Sequence, residues 1–292
     1  MLNEKMVSLG MRRSVIREIF EYGKKRKAEI GEESVFDFSL GNPSVPTPAA
    51  VTAALERIIK ETDPVRLHGY TSAQGDMAVR AKIAESIEKR FGFPANKDLI
   101  YMTCGAAASL TVQCRKPDFQ LDIKATENAV TEKTKAIIIN SPNNPTGAVF
   151  SPDTIKALSD MLCKKQAEYG TDIYIIADEP YRELSYGVEV PYIPKYYANT
   201  VICYSYSKSL SLPGERIGYI FIPEGAADCR KLYAAVCGAG RALGFVCAPS
   251  LMQYTVAECT DALPDVSAYK KNRDLLFGAL TDYGYEAVPP DG

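Results

Sequence analysis

The sequence predicts an α/β fold, a largely parallel sheet flanked by helices, and three observations carry the prediction. Short apolar runs alternate with segments of helical periodicity from about residue 99 onward, the order that builds a parallel sheet. The run Thr134–Asn140 is almost wholly apolar, as a strand covered on both faces would be. The polar residues suited to a ligand fall just after such runs, where sheets of this kind bind their ligands.

Each element follows from its pattern. Val15, Ile16, Ile19 and Phe20 recur at helical spacing, giving an amphipathic helix over 11–29 that ends near Gly31. Phe36 to Leu40 alternates like a short strand before the turn Gly41-Asn42-Pro43. Helices over 47–61 (Val51, Leu55, Ile58) and 75–91 (Val79, Ile83, Ile87) bracket the loop Gly69–Gly75. Leu99–Thr103 is the first strand of the α/β part, and Cys104-Gly105 breaks it ahead of three alanines. A strand over 134–140, a helix over 152–168 and a strand over 172–178 come next. Strands 201–204 and 217–222 follow, then helices over 223–236, 249–259 and 268–282.

A chain of 292 residues can bury a substantial core. Its formal net charge of -2, from 34 basic and 36 acidic residues, gives no reason to expect a nucleic-acid partner. No signal peptide and no membrane-length apolar window is visible, so a cytoplasmic location is expected. Eight cysteines without a C-x-x-C pair indicate neither a zinc site nor a disulfide framework, and the single histidine, His68, excludes a multi-histidine metal centre.

The segment Ser205–Tyr219 carries the most chemistry. It sets Lys208 among hydroxyls and puts Arg216 eight residues later, after a Pro-Gly turn. A partly buried lysine near another cation loses its proton easily, and the neutral amine can attack a carbonyl to form a Schiff base. Hydroxyls and a guanidinium bind a phosphate dianion. An aldehyde cofactor carrying a phosphate, pyridoxal 5′-phosphate, would use both. Gly105 opens a helix whose free amides, at Ala106 and Ala107, can hold an anion. Asn144 lies just past the third strand of the chain, Asp178 ends the next, and Tyr181 stands three residues on. Structural alternatives accompany each. A glycine at such a turn, Asn-Pro-Thr-Gly and a strand-ending aspartate all serve turns and caps without a ligand, and Arg216 could pair with a surface acid.

Taken together, S-x-S-K followed by P-G-x-R-x-G-Y, with upstream N-N-P-T-G and D-E-P-Y, resembles the class I/II aminotransferases of pyridoxal-phosphate fold type I. The resemblance runs from about Ser39 to the last residue. It implies that Lys208 holds the cofactor as an internal aldimine and then shuttles a proton, and that Asp178 pairs with the pyridinium nitrogen. Tyr181 and Asn144 would hydrogen-bond the phenolic oxygen. Ser205, Ser207, Arg216, Gly105 and the amides of Ala106 and Ala107 would bind the phosphate. Gly41, with Asn144, would meet the substrate carboxylate, and Tyr70 would reach the phosphate of a neighbouring subunit in a homodimer.

The implied activity is transfer of an amino group between an amino acid and a 2-oxo acid; a lyase or decarboxylase on the same fold, or an inactive shortened chain, are the alternatives. The resemblance also divides the chain into an arm and small-domain segment (1–45), a large cofactor-binding domain (46–250) and the start of a small domain (251–292). Relatives carry several tens of extra residues before Thr134, so part of the sheet is expected to be missing between 110 and 120. The ring-stacking aromatic and the carboxylate-binding arginine are expected to be missing too, with most of the small domain. Loss of those strands would leave the 136–139 strand as an apolar edge.

Overall fold

Apolar runs become strands largely where the sequence puts them. In the computed structural model, which describes residues 4–11, 15–103, 114–115 and 117–292, the chain divides into two units after Ser44. The N-terminal unit holds α1 (Glu4–Met11) and α2 (Val15–Ile30). Gly23 of α2 lies so near Asp37 that an added Cβ would stand 2.9 Å from its Oδ2, and Lys27 pairs with the same carboxylate at 3.4 Å. The strand expected over 36–40 does not form. Asp37 instead accepts the Ser39 N–H at 3.0 Å and its hydroxyl at 2.6 Å, a local turn that competes with strand pairing. Phe36 and Phe38 are left exposed.

The second unit begins with α3 (Ala49–Glu61), α4 (Pro64–His68) and α5 (Met77–Phe91), then β1 (Ile100–Thr103), α6 (Ile123–Ala129), β2 (Ala136–Asn140), α7 (Pro152–Tyr169) and β3 (Tyr174–Asp178). It continues through β4 (Thr200–Ser205), α8 (Tyr206–Ser209), β5 (Gly218–Phe221), α9 (Cys229–Ala242), α10 (Ser250–Glu258) and α11 (Val266–Asp282). The described strands form a sheet in the order β1-β5-β4-β3-β2. β2, β3 and β4 are parallel, while β5 runs antiparallel to both β4 and β1. Four strands therefore point their carboxyl ends the same way.

Local chemistry fixes the boundaries. Asp76 caps α5 by accepting the Ala78 and Val79 N–H groups, and Gly92 ends it at φ 55. Ser151 caps α7 ahead of Pro152, and Gly170 closes it at φ 62. The face Val79, Ile83 and Ile87 meets Val51 and Ile58 of α3 and Val256 of α10 in one core, each side chain contributing about 1.5–3 kcal/mol by burial. Two short helices without helical periodicity, α4 and α6, start at Asp63 and Asp122 caps. The helix expected from 223 starts at Cys229 instead. Ala226 donates to the Pro223 carbonyl in a turn, and Asp228 enters the helix at φ 48.

β2 stands at one edge of the described sheet. Ile137 and Ile138 are half-buried, so the two-sided cover its apolar run suggests is partial. Gly218 of β5 leaves no room for a side chain, since a Cβ would stand 2.3 Å from the Tyr204 carbonyl oxygen. Among the described residues no helix is long and apolar enough to cross a membrane, and no group of three His, Cys, Asp or Glu could hold a metal.

Candidate active site

Parallel pairing of β2, β3 and β4 sets Asn140, Asp178 and Cys203 side by side at their carboxyl ends. Asp178 is half-buried. Burial first, and then the charge of Glu179, raises its carboxyl above the usual range. Burial and the Asp178 charge push the Cys203 thiol up to about 12, so it stands neutral beside the carboxylate.

A continuous line of contacts joins the predicted residues. The Lys208 Nζ lies 6.0 Å from the centre of the Tyr181 ring. The Tyr181 hydroxyl oxygen accepts Asn144 Nδ2 at 2.9 Å, which leaves its own proton to be donated elsewhere. The Asn144 N–H donates to Asn140 Oδ1 at 2.8 Å, and Asn140 Nδ2 reaches Asp178 Oδ2 at 3.3 Å. Lys208 and Asp178 thus belong to one cluster. Burial lowers the proton affinity of the Lys208 amine.

Each supporting segment is held by its own sequence. Ser205 caps α8, its Oγ accepting the Ser207 N–H at 3.2 Å and lying 2.8 Å from Ser207 Oγ. The buried Tyr204 hydroxyl donates to Ser209 Oγ at 2.9 Å, next to Lys208. The Asn144 loop is pinned through Gly147, at φ 69, whose carbonyl accepts the Asp291 and Gly292 N–H groups at 2.8 and 3.0 Å. A Cβ at Gly147 would stand 2.3 Å from Pro290 Cβ.

The turn carrying Tyr181 is anchored below. Glu179 and Arg182 are both buried, and the guanidinium forks onto the carboxylate at 2.6 and 2.5 Å. Arg182 also donates to the Val190 and Pro191 carbonyls, each at 3.0 Å, and lies over the rings of Phe91 and Tyr192. Arg90 pairs with Glu183 at the end of the same turn.

The remaining predicted residues fall as follows. Arg216 adopts φ 51, donates to the Pro213 carbonyl at 2.9 Å and, with Thr103, Phe245 and Cys247, lines an open cleft of about 510 Å³. Tyr70 is 91% exposed on a loop fixed by Gln253, a fully buried residue that accepts the Asp76 N–H at 2.7 Å and donates to Thr71 Oγ1 at 2.9 Å. Gly41 belongs to the N-terminal unit, in a turn closed by the Asn42 N–H on the Leu40 carbonyl at 2.8 Å. Gly105, Ala106 and Ala107 lie outside the described residues, as do Leu110 to Gln113 of the expected deletion point. Two aromatics flanking that point in the sequence are placed as follows: Tyr101 is buried against Gly240, and Phe119 sits in a turn at φ 52.

Sequence reasoning missed Asn140 and the Glu179–Arg182 pair. Asn140 had a signal, ending an apolar run four residues before Asn144, but its partners depend on strand register. Arg182 reads from sequence as one more surface charge.

Comparison with known proteins places the fold in a family. Residues 104–292 match the family model for aminotransferase class I and II. A crystal structure of an amino transferase from Eubacterium rectale is 49% identical and superposes with a TM-score of 0.95 over 100% of this chain and 83% of that one. A probable aspartate aminotransferase of Methanocaldococcus jannaschii is 24% identical over 96% of this chain and 80% of its own length. A probable N-acetyl-LL-diaminopimelate aminotransferase of Bacillus subtilis is 26% identical over 89% and 73%.

Proposed function

The chain belongs to the class I and II aminotransferases, and on that premise we propose that it moves an amino group between an α-amino acid and a 2-oxo acid at a bound pyridoxal 5′-phosphate. The observation that carries the proposal is the unbroken line of contacts from Lys208 through Tyr181, Asn144 and Asn140 to Asp178.

The donor set suits this cofactor. Oδ1 of Asp178 accepts no hydrogen bond among the described residues, and its half-buried carboxylate is complementary to a protonated ring nitrogen. Asn144 Nδ2 and the hydroxyl proton of Tyr181 are two donors suited to a phenolate oxygen. Ser205 and Ser207 offer paired hydroxyls, and Arg216 a guanidinium, to a phosphate. When bound, pyridoxal phosphate supplies an aldehyde that takes up amines and a ring that draws charge from the substrate Cα.

The chain's own residues supply the rest. Burial keeps the Lys208 amine more readily deprotonated than a free lysine, as a group that takes and returns the Cα proton requires. Asp178 would hold positive charge at the ring nitrogen, and Tyr181 with Asn144 would hold negative charge at the phenolic oxygen. Tyr70, presented to solvent, serves a second copy's phosphate, which makes the active form a homodimer.

Incubation of the purified chain and pyridoxal phosphate with single amino acids and 2-oxoglutarate, read by NMR, tests the proposal. Glutamate should form in step with the 2-oxo acid of the donor. Carbon dioxide or ammonia release without glutamate would place the chain among the lyases instead.

A further inference from the structure

One neutral side chain touches both arms of the site. We infer that Asn140 is a positioning residue that selects which oxygen of Asp178 faces the cofactor ring and couples that carboxylate to the Asn144–Tyr181 pair. The inference rests on the roles proposed for Asp178 and Asn144.

Asn140 is the last residue of β2 and lies in register with Asp178. Its Nδ2 donates to the Asp178 carbonyl at 3.0 Å and to Oδ2 at 3.3 Å, while its Oδ1 accepts the Asn144 N–H at 2.8 Å. A carbonyl and a carboxylate only accept and a backbone N–H only donates. The amide therefore has one workable orientation, because turning it over would oppose like with like at all three contacts. The carbonyl bond is the shorter of the two Nδ2 contacts, so it locks the amide and the carboxylate then turns to meet it.

With Oδ2 so engaged, Oδ1 is the oxygen left for the ring nitrogen. The other described groups around Asp178 make no such contact with it. Glu179 only repels it and is itself forked onto Arg182. Cys203, its register partner on β4, is a weakly donating neutral thiol. Lys208 is placed against Tyr181. Among the described residues Asn140 is the only hydrogen-bond donor to this carboxylate.

Two substitutions separate the contacts. Asn140→Asp keeps an acceptor for the Asn144 N–H but replaces the donor to Asp178 with a second carboxylate, whereas Asn140→Ala removes both contacts. Three quantities are measured for each and for the wild type: the Kd for pyridoxal phosphate by equilibrium dialysis, the melting temperature of the cofactor-free chain, and the Asp178 titration by carboxyl ¹³C NMR. Losing a hydrogen bond to a charged group should weaken cofactor binding about 10–100-fold in Asn140→Ala, and at least as much in Asn140→Asp. The donor favours the ionised form, so the Asp178 titration should move to higher pH in Asn140→Ala and further in Asn140→Asp. A lowered melting temperature with an unmoved Asp178 titration would overturn the inference. Wild-type Kd values in both variants would do the same. If the wild type bound no pyridoxal phosphate, the cofactor assignment would fail, while the NMR titration would still decide whether Asn140 holds the carboxylate.

Discussion

The two carboxylates at the end of β3 are neighbours in sequence and opposites in treatment. Glu179 is buried and answered within the chain, its two oxygens forked by Arg182, whose guanidinium also lies over the stacked rings of Phe91 and Tyr192. Asp178 is half-buried, receives a single neutral amide, and keeps one oxygen without a hydrogen bond among the described residues. A strand turns consecutive residues to opposite faces, so one position becomes an anchor under the turn and the other a carboxylate left for the proposed cofactor. Internal compensation marks the anchor; its lack suits the role proposed for Asp178.

Four substitutions sharpen or break that contrast. Lys208→Ala has the largest expected effect. Amino transfer should fall by about 10²–10⁴-fold or more, the range of a positioned acid–base group, while the melting temperature of the cofactor-free chain stays near wild type because burial already disfavours its charge. A folded Lys208→Ala chain with undiminished transfer would remove Lys208 from the chemistry.

Next comes the anchor. Arg182→Met strands Glu179 as a buried uncompensated charge, at a cost of about 3–5 kcal/mol. For a unit of this size the melting temperature should drop by roughly 6–20 °C. Thermal melts of the cofactor-free chain check this. A drop no larger than that of an exposed pair such as Lys156–Asp160 would mean that the pair is no anchor.

Asp178→Asn is expected to act in two directions. Pyridoxal phosphate affinity should weaken about 10–100-fold as the charged partner of the ring is lost. The cofactor-free chain should gain stability at neutral pH. The folded-state pKa of Asp178 is raised, so the folded chain holds this proton more tightly than the unfolded chain. Ionisation therefore opposes folding as pH rises from the ordinary 3.8 through the raised value, and the penalty persists above it. Melts of wild type and Asp178→Asn across pH should coincide at low pH and separate, with the variant higher, toward neutrality. A variant less stable at every pH would make Asp178 a structural residue.

Tyr181→Phe is the mildest. It removes the acceptor for Asn144 Nδ2 and one of the two donors proposed for the phenolate oxygen, with Asn144 left as the other. At the lower end for a hydrogen bond to a charged group, about 1.5 kcal/mol, cofactor affinity should fall roughly 10-fold with little change in melting temperature.

How far the sequence reveals this arrangement follows the same division. Periodicity located β1 to β5 and the helices of the core, because apolar spacing reports which face is covered. Caps set ends the periodicity left vague, as at Asp76 and Ser151. The strand expected at 36–40 failed since Asp37 bonds locally to Ser39, and apolar alternation carries no information on such competition. Lys208, Asp178, Tyr181 and Asn144 were legible as polar residues following strands. Asn140 was not, because its role depends on register between β2 and β3. Arg182 was not either, since apolar spacing does not show which charge is buried, even where the partner, Glu179, is three residues away.

The most direct test is borohydride reduction of the chain with pyridoxal phosphate, followed by peptide mapping. The pyridoxyl group should appear on Lys208, in the peptide spanning 205–216, and should be lost from that peptide in Lys208→Ala. Label scattered over exposed lysines such as Lys60 and Lys156, with Lys208 unmodified, would contradict the account.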